Sequence, residues 1–135
     1  GGDELNHPEA GKNYGWPVIS YGTHYSFLKI GEGAAKQGME QPVYYWDPVI
    51  APSGMVVYTG DLFAGWKNNF LIGTLTPGGM VRLVMKEGKV AQEERYLGDL
   101  RERVRDVRQA PDGSLYLVTD SGNGQILRIT PAAKP

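Results

Sequence analysis

The chain has 135 residues, 41% of them hydrophobic, with 14 Lys and Arg against 15 Asp and Glu for a net charge of -1. That length fits one ordinary domain with its own core, and the near-neutral balance excludes a global field toward nucleic acid or an anionic membrane. The absence of cysteine excludes disulfides, thiolate metal sites and a cysteine nucleophile, and the short apolar runs exclude a membrane-spanning helix.

The opening residues 1–6 read as neither a signal peptide nor an initiator methionine, so the true N-terminus is expected upstream. Gly2-Asp3-Glu4-Leu5-Asn6 is the first candidate for chemistry, together with Tyr14 in Gly11-Lys12-Asn13-Tyr14-Gly15-Trp16-Pro17. Carboxylates, side-chain amides and main-chain carbonyls in a loop are the oxygen donors that a hard cation such as Ca²⁺ takes. The same residues serve equally well as turn caps, with Trp16 filling a core. Residues 13–21 and 43–46 fit strands, and the polar, Gly-rich stretch 29–41 between them fits a long loop. Tyr44, Tyr45, Trp46 and Asp47 suit either a ligand cleft or aromatic packing beside a turn. His7 and His24 have no metal-ligand spacing and no serine nucleophile motif beside them.

From Ser53 onward, β-branched and aromatic runs alternate with Gly, Asn, Asp and Pro, which predicts consecutive antiparallel strands at 55–59, 70–75, 80–85 and 90–97. Pro77-Gly78-Gly79 supplies positive φ for one turn, and Lys86-Glu87-Gly88-Lys89 reads as a tight hairpin. The pattern restarts at 103–109, 115–119 and 126–129, with a turn at Pro111-Asp112-Gly113, and stops one strand short. Phe70 corresponds to Leu115 at a shift of 45 residues, and Met80 to Ile126 at 46. That period suits blades of a β-propeller, although two coincident β-meanders would look the same. The expected fold is therefore all-β, a partial propeller of two to two and a half blades of four-stranded antiparallel sheet. Residues 1–52 form a loop-rich partial blade, 53–98 a complete blade and 99–135 a three-stranded last blade, all within one domain.

Glu102-Arg103-Val104-Arg105-Asp106 is the second candidate. On a strand, Arg103 and Arg105 share one face about 7 Å apart. Two parallel guanidinium groups suit a ligand with several carboxylates, or a salt-bridged edge with Asp99, Glu102 or Asp106.

The two blocks near the N-terminus, with Ile50-Ala51-Pro52-Ser53-Gly54-Met55, Arg103-Val104-Arg105-Asp106-Val107 and Pro111-Asp112-Gly113, resemble the soluble PQQ-dependent sugar dehydrogenases, the glucose/sorbosone and aldose sugar dehydrogenase family. The blocks follow the family's order over nearly the whole chain and match the C-terminal portion of its six-bladed propeller. The resemblance implies that Glu4 and the main-chain carbonyl of Tyr14 bind a structural Ca²⁺, and that Arg103 and Arg105 hold carboxylates of pyrroloquinoline quinone. Tyr25 falls where the family places an aromatic group near the cofactor, and Tyr44 and Asp47 fall near the sugar. Thr76 stands where family members carry a lysine that touches the quinone. The family oxidises aldoses at C1 by hydride transfer to PQQ, with a histidine base that neither His7 nor His24 matches. The chain is thus expected to be an inactive fragment of a periplasmic or secreted quinoprotein, with no catalytic residue of its own and an unidentified electron acceptor. A non-catalytic propeller-type binding module is the alternative, and a Ca²⁺-dependent lactone hydrolase is a weaker one. The incomplete last blade leaves an open edge, for which self-association is expected.

Overall fold

The computed structural model describes residues 1–132, which divide into two compact units, Gly1–Val49 and the part from Ile50 onward. In the first unit, β1 (Asp3–Leu5) pairs antiparallel with β2 (Tyr44–Trp46), setting Asp3 opposite Trp46, Glu4 opposite Tyr45 and Leu5 opposite Tyr44. Main-chain bonds from Gly2 to Trp46 (2.8 Å) and from Val43 to Leu5 (2.8 Å) extend the pairing. Residues 29–41 form no strand, as expected, but neither do residues 13–21. There Asn13 Oδ1 accepts from Gly15 N (2.8 Å), and Gly15 O accepts from the amides of both Val18 and Ile19. These bonds close a turn where a strand would need a partner. Ile19 is buried under this turn, while Trp16 is 68% exposed and fills no core.

The second unit carries two sheets. β3 (Pro52–Val57), β4 (Phe70–Thr74), β5 (Met80–Lys86) and β6 (Lys89–Tyr96) form a four-stranded antiparallel meander. β7 (Val104–Gln109), β8 (Leu115–Thr119) and β9 (Ile126–Ile129) form a three-stranded one. A single 3-10 turn, Gly98–Leu100, links them. These are the successive sheets of a partial propeller, one complete and one with three strands. The turn chemistry follows the sequence: Gly78 and Gly79 have φ of 104° and 84°, and Glu87 and Gly88 have φ of 51° and 75° at the β5–β6 hairpin.

Burial holds the two sheets together. Leu71, Ile72, Gly73 and Thr74 of β4 are all buried, as an inner strand covered on both faces requires. Leu71 and Met80 of the first sheet join Val104, Val107, Leu115 and Leu117 of the second, with Tyr58 and Phe63 of the β3–β4 connection, in one apolar cluster. Tyr58 is completely buried, and its hydroxyl donates to Gly113 O (2.8 Å) and accepts from Phe63 N (3.1 Å). One side chain thereby ties the β3–β4 connection to the β7–β8 turn.

A polar network lies on the same face of the first sheet as Leu71 and Met80, beside the apolar cluster. Arg82, with a side chain 12% exposed, bonds Asn69 Oδ1 (2.9 Å), pairs with Glu94 (3.1 Å) and lies over the Trp66 ring. Tyr96 donates a short hydrogen bond to Glu94, and burial followed by the Glu94 carboxylate pushes its phenol above the ordinary value.

Candidate functional site

The segment that carries the arginine pair is fixed one carbonyl at a time. Gly79 N donates to Glu102 O (3.1 Å), Asp120 N to Arg103 O (2.7 Å) and Ser53 Oγ to Val104 O (2.6 Å). The approach is close enough to demand glycine at its contacts. A Cβ on Gly54 would sit 1.8 Å from Asp106 Oδ1, and one on Gly78 would sit 2.4 Å from Glu102 O. The start of β7 is therefore set against the first sheet through hydrogen bonds and two side-chain-free positions.

The register of β7 decides where the arginines point. Val104 faces Thr119 and Asp106 faces Val118, so two steps on β7 oppose one on β8 and Arg105 is the extra residue of a β-bulge. A regular strand would set Arg103 and Arg105 on one face by alternation alone. Here Arg103 lies just ahead of the strand, Arg105 is displaced by the bulge, and the two converge on a single carboxylate. Asp120 Oδ2 accepts from Arg103 Nε (3.1 Å) and Nη2 (3.0 Å) and from Arg105 Nη2 (2.6 Å). Those bonds, from Arg103 and then Arg105, hold the Asp120 carboxyl below the usual carboxylate range. Both guanidinium groups stay about half exposed. The acidic partner is thus Asp120, and Asp106 pairs instead with Arg108 (3.1 Å).

Thr76, at the end of the β4 side of the Pro77-Gly78-Gly79 turn, is exposed, and its amide donates to Ile50 O (3.2 Å). A threonine there offers a hydroxyl where a lysine would offer a positive charge.

In the first unit, Glu4 projects from β1 on the same side as Asn6, whose Nδ2 donates to Glu4 Oε2 (3.1 Å). The Asn6 Oδ1 atom is buried and has no hydrogen-bond partner among the described residues. An orphaned amide oxygen beside a carboxylate matches the donor chemistry of a hard cation. The Tyr14 hydroxyl donates to His7 O (2.7 Å) and accepts from Glu9 N (2.9 Å), which pins the loop that carries its main-chain carbonyl. Among the described residues, no three His, Cys, Asp or Glu side chains gather as a metal site. Any cation here would depend on carbonyl and amide oxygens as well as Glu4.

A cavity of about 520 Å³ opens in this unit, lined in part by Asp3, Trp16, His24, Tyr25 and Phe27. Tyr25 and Phe27 stand out from a small loop closed by His24 N to Leu28 O (2.8 Å). They are fully and 90% exposed in the same way. Nothing in the sequence spacing signals that His24 lines this space. Tyr44, Tyr45 and Asp47 line a second cavity of about 470 Å³ with Tyr21, whose ring stacks on Tyr45 at 3.8 Å. The structure thus brings Tyr44 and Asp47 to one surface. It also shows that Tyr44 packs edge-on to the buried Trp46 at 5.1 Å.

The family model for glucose/sorbosone dehydrogenase matches residues 1–128. The chain belongs to the glucose/sorbosone dehydrogenase family. Among curated relatives of this family, the aldose sugar dehydrogenase YliI of Escherichia coli is 44% identical over 97% of the chain, which covers 36% of YliI. A crystal structure of a glucose dehydrogenase superposes with a TM-score of 0.95 at 46% identity, over 98% of this chain and 39% of that one. The PQQ-bound aldose sugar dehydrogenase of Streptomyces coelicolor gives a TM-score of 0.65 at 25% identity, over 94% and 37% of the two chains. The chain therefore spans about a third of the length of the curated relatives it matches.

Sequence reasoning found the arginines and missed Asp120 and the orphaned Asn6 oxygen. Asp120 lies fifteen residues beyond Arg105, and only the pairing of β7 with β8 brings it back to the pair. Asn6 was visible as a donor type, but its lack of a partner is a property of packing.

Proposed function

We propose that the chain is the C-terminal part of one propeller domain of a PQQ-dependent aldose dehydrogenase, and that it contributes cofactor-binding groups without completing the reaction. The observation that carries this reading is the arginine pair, fixed by its own main-chain bonds and half exposed, in a family with a PQQ-bound member. Arg103 and Arg105 remain charged at every relevant pH and offer planar donors to carboxylates. PQQ, when bound, supplies the hydride acceptor for oxidation of an aldose at C1. Tyr25 and Thr76 would contribute an aromatic face and a hydroxyl to the cofactor, and Tyr44 and Asp47 an aromatic edge and a carboxylate to the sugar. Glu4 and the Tyr14 carbonyl would hold Ca²⁺, a role supported by the orphaned Asn6 oxygen beside Glu4.

His7 is exposed and its carbonyl is engaged by Tyr14, and His24 sits on an exposed loop. Neither has a carboxylate hydrogen-bonded to its ring among the described residues. Neither histidine matches the motif of the family's base, so no general base is assigned to the chain. Incubated with aldose, PQQ, Ca²⁺ and a redox dye, it is expected to give no sugar-dependent dye reduction, and turnover at the rate of full-length relatives would contradict this. Location in the periplasm or outside the cell follows the same family reading, as does an electron acceptor of unassigned identity. No helix among the described residues is long and apolar enough to cross a membrane.

The calcium assignment has its own test. A ligand that binds only the folded chain raises its melting temperature, so Ca²⁺ is expected to raise Tm, and Glu4→Gln is expected to remove that rise. An unchanged Tm with Ca²⁺ would contradict the assignment. A second reading, a propeller-type binding module without catalysis, is favoured by Thr76 in the lysine position. Absence of PQQ binding would select it.

A further inference from the structure

We propose that Asp120 is a positioning residue for the arginine pair, holding the guanidinium groups of Arg103 and Arg105 together as a preformed clamp to which PQQ carboxylates bind with Asp120 still in place. This rests on the reading of the pair as the PQQ carboxylate site.

Two like charges on residues 103 and 105 repel one another, and neither has a reason of its own to point at the other. Asp120 removes that conflict. One oxygen, Oδ2, accepts from both groups at 2.6 to 3.1 Å, which leaves the trio with a net charge of +1. It takes Arg103 on the Nε and Nη2 edge. Each guanidinium carries five N–H donors, so the pair keeps most of its donors for a second anion.

Asp120 is itself held. It follows the last residue of β8, and its amide donates to Arg103 O (2.7 Å), directly beside the Val104–Thr119 pair of the ladder. The carboxylate and the arginines therefore keep their separation as parts of one hairpin. Like any aspartate it is ionised through the neutral range, and its hydrogen bonds from Arg103 and Arg105 favour that form further. No other carboxylate closes on the pair among the described residues, since Asp106 is taken by Arg108 and Asp112 by Arg128.

The opposite possibility is that Asp120 is a resident competitor, which a PQQ carboxylate must displace. The two differ in sign. A competitor's removal tightens binding, whereas removal of a positioning group weakens it.

The test titrates PQQ into the 135-residue chain by calorimetry, with Asp120→Asn, Asp120→Glu and the Arg103→Ala, Arg105→Ala double variant beside it. Asp120→Asn is expected to weaken PQQ binding about fivefold, the upper range for an exposed charge pair, at unchanged circular dichroism. Asp120→Glu is expected to recover part of the loss because it restores the charge. Independently of PQQ, the Arg103 Nε–Hε resonance in the free chain is expected to lose its hydrogen-bond shift in Asp120→Asn. Binding as tight as the parent's or tighter in Asp120→Asn, with the double arginine variant impaired, overturns the inference and leaves the PQQ reading standing. No binding by the parent, or full binding by the double arginine variant, overturns the PQQ reading and the inference with it.

Discussion

Tyr58 shows how much one hydroxyl carries in this chain. It is fully buried and satisfies both the Gly113 carbonyl and the Phe63 amide. Tyr58→Phe keeps the ring and abandons both groups in the core, so it is expected to cost about 1–3 kcal/mol in urea unfolding, and a loss within error of zero would contradict that role. Asp112 makes a second residue-scale case. Hydrogen bonds from the Ser114 hydroxyl, the Ser114 amide and Arg128 lower its carboxyl from 3.8 to about 2. A depressed folded value means that its contribution is fully present above the ordinary carboxylate range and is lost as pH falls through about 2. Asp112→Asn is expected to flatten the stability profile in that acid window and leave its neutral limb parallel to the parent's. An unchanged acid limb would contradict the assignment. The Asp112-Gly113 turn was legible from residue type, but its partner Arg128 was not, because a salt bridge between β9 and a turn needs the register of a sheet.

At the scale of elements, the meander was legible because alternating apolar runs and Gly-rich turns are local signals. Strands expected at 70–75, 80–85, 90–97, 115–119 and 126–129 appear within a residue or two as β4, β5, β6, β8 and β9. The bulge at Arg105 was not legible, since it depends on which residue of β8 opposes Val104. The first fifty residues were least legible. Asn13 and Gly15 divert the chain into a turn where a strand was expected, and β1 finds its partner β2 only across some forty residues. The bulged start of β7 depends on its contact with β3. Gly54→Ala would drive a Cβ to 1.8 Å from Asp106 Oδ1 and 2.9 Å from Asp106 Cα. It is expected to cost about 1–3 kcal/mol, the usual effect of overpacking, and to weaken PQQ binding by disturbing the segment beside Arg105. Wild-type Tm and binding would show that the close approach does not matter.

For the molecule as a whole, β9 has no partner on its outer side among the described residues, and Ile126 on it is 73% exposed. An unprotected strand edge offers main-chain donors and acceptors to any second chain. Self-association is the expected outcome in light scattering, with a concentration-dependent mass above 14.8 kDa, and a monodisperse monomer would contradict it. The resemblance that named the family rested on short motifs spread along the chain, and it extends over residues 1–128. The individual site roles rest on the arginine pair more than on any other feature. Calorimetric titration of PQQ into the chain tests them most directly. The expected result is binding by the parent chain that is lost in the Arg103→Ala, Arg105→Ala double variant with the fold retained. Equal binding by both, or none by the parent, would contradict the assignment of this chain as part of a PQQ site.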